Sequence, residues 1–215
     1  HGIDDGAKRV FHVTSRFRVD AFWDGTIIRA MSGDSTHVSP PYMAGGLDNR
    51  LRRWVQNPRK ILSPYLREGM TAVDVGCGPG FFTLDMASLV GPAGRVIAVD
   101  LQQGMLDLAA AKLRAAGLDE RVRMHLCETT RIGLEEKADF ILAFYMAHEV
   151  PDKEAFFAQM ASILSPDGRM LLVEPPVHVS WKTFDKELAA ARAAGLIVLA
   201  RPRLVMSKTA LLGHA

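Results

Sequence analysis

Residues 71–87 read TAVDVGCGPGFFTLDMA, and a turn bearing Gly76, Gly78 and Gly80 joins a β-branched run to a helical pattern. Glycines at such a turn let a ligand approach the backbone closely. A dinucleotide fingerprint would put its third glycine where Phe81 stands, and Pro79 removes an amide that would face a pyrophosphate. No Gly-Lys-Ser/Thr follows, which excludes a triphosphate-binding P-loop. Asp74, just ahead of the glycines, repels phosphate and suits an ammonium group. Asp100 ends the run VIAVD, where an acid accepts from both hydroxyls of a ribose. Glu128, in LCET, is an acceptor for an exocyclic amine. Together these residues describe a ligand with an amino group, a ribose and an adenine, and no phosphate.

The elements that must hold these residues follow from periodicity. The spacing predicts a helix over 47–66, interrupted or reopened at Pro58, then the strand TAVDVG and a helix stopped at Gly91. RVIAVD, VRMHLCE, ADFILAFYMA and RMLLVEP read as further strands, with SPDG a turn before the last. ADFILAFYMA is apolar without alternation, as expected of a parallel strand covered on both faces. Between them lie the helical patterns GMLDLAAAKLRAAG, KEAFFAQMASIL and WKTFDKELAAARAAG. Two strand-like stretches at the C-terminus have no helix between them and predict an antiparallel hairpin at the sheet edge. The fold class is therefore α/β: a doubly wound, Rossmann-like sheet, mostly parallel, with helices on both faces. The glycine turn then sits at the topological switch point, where such sheets bind ligands. Residues 47–215 form this domain; 1–46 are an N-terminal extension or a lid, and Met31 fits a native start.

VDVGCGPG, VIAVDLQQGML, HLCETT, ADFILAFYMAHEVPD and ILSPDGRMLLVEP, in that order, resemble the successive motifs of class I S-adenosylmethionine-dependent methyltransferases. The resemblance covers about residues 47–213. It implies that Asp74, Gly76, Cys77, Gly78 and Gly80 surround the methionine part of S-adenosylmethionine, and that Asp100 holds the ribose. Leu101 and Met105 would line the adenine, Glu128 and Thr129 would lie at its amine, and Phe144 would border the pocket. Glu128 stands where the family usually has aspartate. Cys77 also reads as a small space-filler rather than a nucleophile.

Methyl transfer from a sulfonium is an in-line displacement, for which an enzyme supplies positioning, a water-poor site and, for a protonated nucleophile, a base. The segment after the fourth strand, FYMAHEVPDKEAFF, offers Tyr145, His148 and Glu149 as catalytic candidates. It resembles the H-[DE]-x-x-D setting of the catalytic histidine in plant small-molecule O-methyltransferases, without that group's tryptophan or dimerisation region. A hydrogen-bonded structural role for His148 stays open beside the base. Tyr42, Arg50, Arg53, Trp54, Glu174 and His178 are further candidates on the substrate side.

Composition narrows the partners. The chain has 215 residues, 48% hydrophobic and 23% charged, with net charge +2, as for a globular domain and unlike a dedicated nucleic-acid binder. SPPY at 39–42 precedes the glycine loop, so it is not the base-gripping motif of DNA amino-methyltransferases, which follows the fourth strand. Two cysteines, Cys77 and Cys127, suffice neither for a zinc site nor for a radical iron–sulfur cluster, and no metal is expected. No run is long and apolar enough for a membrane span, and no signal peptide is visible. The expectation is a cytoplasmic enzyme, monomer or homodimer, methylating a small molecule. A protein methyltransferase and a non-catalytic S-adenosylmethionine-binding module are the alternatives.

Overall fold

The computed structural model describes Arg53 and residues 56–215. Asn57 caps a short helix α1 (Pro58–Leu62): its side chain accepts from the Lys60 amide at 3.0 Å, and Pro58 fills the first turn, where no amide partner is needed. Then come β1 (Thr71–Val75), α2 (Thr83–Leu89), β2 (Arg95–Asp100), α3 (Gln103–Ala115), β3 (Val122–Leu126) and β4 (Ala138–Phe144). They are followed by α4 (Lys153–Ile163), β5 (Leu164–Glu174), α5 (Trp181–Ala193), β6 (Leu196–Ala200) and β7 (Lys208–His214). Expectations for residues 1–46, for Tyr42, Arg50 and Trp54, and for most of the helical pattern at 47–55 lie outside the described residues.

The strands form one sheet in the order β3-β2-β1-β4-β5-β7-β6. The first five pair in parallel, and β7 runs antiparallel to both β5 and β6, which gives the expected edge hairpin. The chain reverses its direction of winding between β1 and β4, which are neighbours, so the loops after these two strands open the crevice of the fold.

Alternate residues of the inner strands feed two layers. Val73, Val75, Ile141 and Ala143 pack with Phe156, Phe157, Met160 and Phe184 from α4 and α5. Ala72, Phe140, Leu142 and Phe144 pack on the other face with Leu62, Phe82, Met86 and Leu113 from α1, α2 and α3. Both faces of β4 are covered, which is why its sequence runs apolar without a period of two.

One element differs from its sequence reading. SPDG lies inside β5 as an irregularity: the β4–β5 register moves from Ala138↔Leu164 to Phe140↔Arg169, so extra residues loop out of the ladder. Gly168 permits it, because a Cβ there would sit 2.8 Å from Leu164 Cδ1 and 2.9 Å from the Ala138 carbonyl oxygen.

Candidate active site

The glycine loop after β1 is held from below. The amides of Gly76 and Cys77 both donate to the Val99 carbonyl at 2.9 Å, hooking the turn onto the end of β2. Gly76 (φ 69°) and Gly78 (φ 52°) are left-handed, but the space around them differs. A Cβ on Gly76 would lie 2.8 Å from Met146 Cβ, in the segment after β4, whereas one on Gly78 meets nothing within 4 Å. Gly76 is therefore glycine for packing across the crevice, and Gly78 presents bare backbone to open space.

Asp100 completes this cradle. Its carboxylate accepts from the Gly78 amide at 2.8 Å and from the Gln102 amide at 2.9 Å, one bond on each oxygen. A carboxylate offers about four acceptor sites, so capacity remains beyond these amides. Burial pushes the Asp100 carboxyl above its ordinary value, and the amides of Gln102, Gly78 and Leu101 pull it back. Asp74 is buried too; one of its oxygens accepts from the Thr83 hydroxyl at 2.6 Å, tying β1 to the start of α2. Cys77 is buried, with its thiol raised well above the ordinary value by burial and by Asp74 and Asp100, which fits a space-filler.

The remaining residues expected at an adenine divide into two groups. Leu101 and Glu128 are exposed beside the ends of β2 and β3, as is Thr129, while Met105 is buried on α3. Phe144, almost buried, stands between Phe82 (4.3 Å between ring centroids) and Tyr145 (4.5 Å). These rings form a contiguous aromatic row between the glycine loop and the segment after β4, with Phe82 and Phe144 in the core and Tyr145 only partly buried.

That segment carries the polar group of most chemical interest. His148 lies in a single turn of 3-10 helix, Ala147–Glu149. Its Nδ1 is 2.6 Å from Oε2 of Glu174, and its backbone amide donates to Oε1 of the same residue at 3.1 Å. Glu174 is fully buried at the end of β5, so its carboxylate is fixed by the sheet. The pair sets the tautomer: with Nδ1–H directed at Glu174, Nε2 is left as the basic nitrogen. Burial disfavours the charged imidazole, but the hydrogen bond and charge of Glu174, with Glu149 and Glu187 behind it, outweigh that and raise the His148 pKa. Glu149 Oε1 lies 4.0 Å from Nε2. Although Glu149 keeps 30% of its side chain in water, burial of the remainder pushes it up to about 7 against the pull of His148.

Tyr145 has a different part. It leaves β4 with φ 58°, an unusual backbone for a non-glycine residue. Its hydroxyl accepts from Gln56 Nε2 at 2.8 Å, donates to the Met206 carbonyl at 3.1 Å and lies 2.7 Å from Ser207 Oγ. It joins the residue ahead of α1 to the β6–β7 loop. Arg53 is engaged by Asp85 at 2.6 Å and lies 5.5 Å from the centre of the Phe81 ring, so it braces α2. His178 is exposed in the loop after β5.

Sequence reasoning missed Glu187. Its signal was present: Phe184, Glu187, Leu188 and Ala191 fall at i, i+3, i+4 and i+7, a charge inside the apolar stripe of α5. Among the described residues no group of three His, Cys, Asp or Glu side chains is placed to hold a metal ion, and no helix is long and apolar enough to cross a membrane.

The family described as "Methyltransferase domain" matches residues 66–195. The chain belongs to that family. The methyltransferase reading drawn from the ordered motifs agrees with this membership. The chain is 29% identical to the demethylmenaquinone methyltransferase of Lactobacillus johnsonii over 161 residues, which are 70% of this chain and 65% of the relative. It is 31% identical to the ubiquinone/menaquinone biosynthesis C-methyltransferase UbiE of Klebsiella pneumoniae over 124 residues, 56% of this chain and 49% of that one. It thus spans about half to two thirds of the length of these relatives. Among solved structures, a SAM-dependent methyltransferase from Aquifex aeolicus superimposes with a TM-score of 0.72 at 24% identity, covering 81% of this chain and 98% of that one. The [4+2]-cyclase SpnF also shares the fold, with TM-score 0.59 at 21% identity over 69% of this chain and 60% of its own.

Proposed function

We propose that the protein methylates a hydroxylated aromatic small molecule, with His148 as the base. The single observation that carries this reading is the His148–Glu174 pair at 2.6 Å, across the crevice from the glycine loop and beside the Phe82–Phe144–Tyr145 aromatics. The cradle fits S-adenosylmethionine in particular: Gly78 has open space where a side chain would stand, and Asp100 retains acceptor capacity for a ribose hydroxyl. Bound S-adenosylmethionine supplies an activated methyl on a sulfonium. The chain supplies the rest. Gly78 and Asp100 orient the cofactor, and Tyr145, the partly exposed end of the aromatic row, borders a planar ring and helps exclude water. His148 Nε2 accepts the proton of the ring hydroxyl, while Glu174 holds the ring and balances the imidazolium. The negative charge left on oxygen is shared with the ring carbons, which makes oxygen or carbon the methyl acceptor. The quinone-pathway names of the curated relatives favour carbon.

Calorimetric titration with S-adenosylmethionine, S-adenosylhomocysteine and NAD tests the cradle first; the first two are expected to bind and NAD is not. Methyl transfer to a panel of dihydroxybenzenes and dihydroxynaphthalenes then tests the acceptor. His148→Gln is expected to bind S-adenosylmethionine as before and to lose roughly 100- to 10,000-fold in turnover. Cofactor binding without methylation of any member would favour a different reaction on the same fold, and full turnover by His148→Gln would remove the base.

A further inference from the structure

Glu187, on α5, is fully buried, and neither of its carboxyl oxygens has a hydrogen-bond partner. Its neighbours are functional. Glu174, Lys153 and His148 all lie close enough for their charges to act on its carboxyl. Lys153, at the start of α4, is held over the cluster by bonds to the carbonyls of His148 at 3.2 Å and Val150 at 2.5 Å. Glu149 acts on His148 as well. On the outer side, an open groove between α4 and α5 is lined by Lys153, Lys186, Ala189 and Ala190, and also by Asp152 and Glu154. Lys186, the residue before Glu187, and Lys153, which bonds the His148 carbonyl, thus bring this groove alongside the cluster.

A bare carboxylate at such a site is costly, and an ordinary structural acid would have acquired a donor. Charge counting gives a reason for leaving it without one. With His148 neutral, Glu174 ionised, Lys153 charged and Glu187 protonated, the cluster sums to zero. If His148 takes a proton, an acid of the cluster must give one up to keep that sum. Of Glu187 and Glu149, Glu187 is the one with no exposure, whereas Glu149 reaches water.

We propose that Glu187 is a positioning residue for His148, a buried acid that releases its proton to the α4–α5 groove as the imidazole gains one from the acceptor. The balance is one proton in at His148 Nε2 and one out at the Glu187 carboxyl. After the product leaves, His148 Nε2 gives its proton to water entering the crevice and Glu187 regains one, so the cycle releases one proton in total, the one taken from the acceptor. Burial and Glu174 push the Glu187 carboxyl up to about 7, against the pull of Lys153 and His148, in the range such exchange requires. The inference builds on His148 as base, but its first test needs no acceptor.

The experiment is an NMR titration of the His148 ring in the full chain and in Glu187→Gln, which keeps the shape and cannot ionise. The substituted protein is expected to bind S-adenosylmethionine normally and to show His148 titrating about one pH unit lower, with a simpler curve. Identical His148 titrations would overturn the proposal. A purely structural Glu187 would predict that outcome, together with higher stability for Glu187→Leu, since an apolar replacement then removes only a liability. In the unsubstituted protein the Glu187 carboxyl carbon should titrate near neutrality, and titration in the ordinary carboxylate range would equally overturn it. Coupling seen by NMR, with turnover indifferent to His148→Gln, would uphold the coupling and refute the base.

Discussion

Gly76 and Gly78 share a left-handed backbone but face different surroundings, so adding one methyl group to each separates packing from binding. Gly78→Ala places Cβ in space empty to 4 Å, and its folding cost is that of an alanine at φ 52°. That conformation costs about 1–2 kcal/mol, partly offset by the lower entropy of the unfolded chain. A net loss of about 1 kcal/mol corresponds to a fall in Tm of roughly 2–4 °C for a domain of this size. Gly76→Ala carries the same backbone cost and adds an overlap with Met146 Cβ at 2.8 Å. With overpacking at about 1–3 kcal/mol, its Tm should fall by roughly 5–12 °C. Binding should reverse the order. The Gly78 methyl occupies the cradle, and an overlap of about 1–3 kcal/mol there weakens S-adenosylmethionine by roughly 5- to 150-fold. Thermal melts and calorimetry on both proteins provide the assay. If Gly78→Ala bound the cofactor as tightly as the parent chain, that face of the loop would not be the cradle, and the functional reading would fall with it.

Asp100→Asn retains one acceptor for two loop amides and points an amide donor at the other; a loss of about 1.5–3 kcal/mol in both folding stability and cofactor binding is expected from denaturant melts and calorimetry. Stability should fall as pH rises. Glu149 and Glu187 have folded pKa values near 7, above their ordinary 4.5, so the native state binds the extra protons. Their contribution is complete below about pH 4.5 and is lost as pH passes 7. With Glu187 counted in full and Glu149 discounted for its partial exposure, urea melts at pH 5 and pH 8 should differ by about 3 kcal/mol, and Glu187→Gln should reduce the difference. A pH-independent midpoint would mean both acids are ordinary. Tyr145→Phe removes the hydroxyl shared by Gln56, Met206 and Ser207, with an expected loss of about 1–2 kcal/mol and faster proteolysis within residues 201–207.

The sheet was legible because its signals are local. Val73, Ile97 and Ile141 sit in short β-branched or apolar runs, and Gly91, Gly117 and Gly195 close the helices with positive φ where the sequence places their stops. The placement of Asp74, the glycines and Asp100 around one turn was legible for the same reason: they belong to contiguous motifs at strand ends. The partnership of His148 with Glu174 was not, because the residues are 26 apart and meet only when β4 and β5 lie side by side. Glu187 was hidden by its type, since a glutamate in a helix usually marks the solvent face. The SPDG signal held locally as a departure from regular pairing, but the ladder on either side absorbed it into β5.

The Tyr145 hydroxyl has a consequence for anyone recombining this fold. Three segments distant in the chain, at Gln56, at the end of β4 and at Met206–Ser207, converge on one oxygen atom. A β6–β7 loop transplanted from a relative would arrive without its counterpart ahead of α1, leaving the hydroxyl with mismatched partners. Such chimeras should therefore keep their stability only when both segments are exchanged as a set, so the unit of inheritance here is discontinuous in sequence.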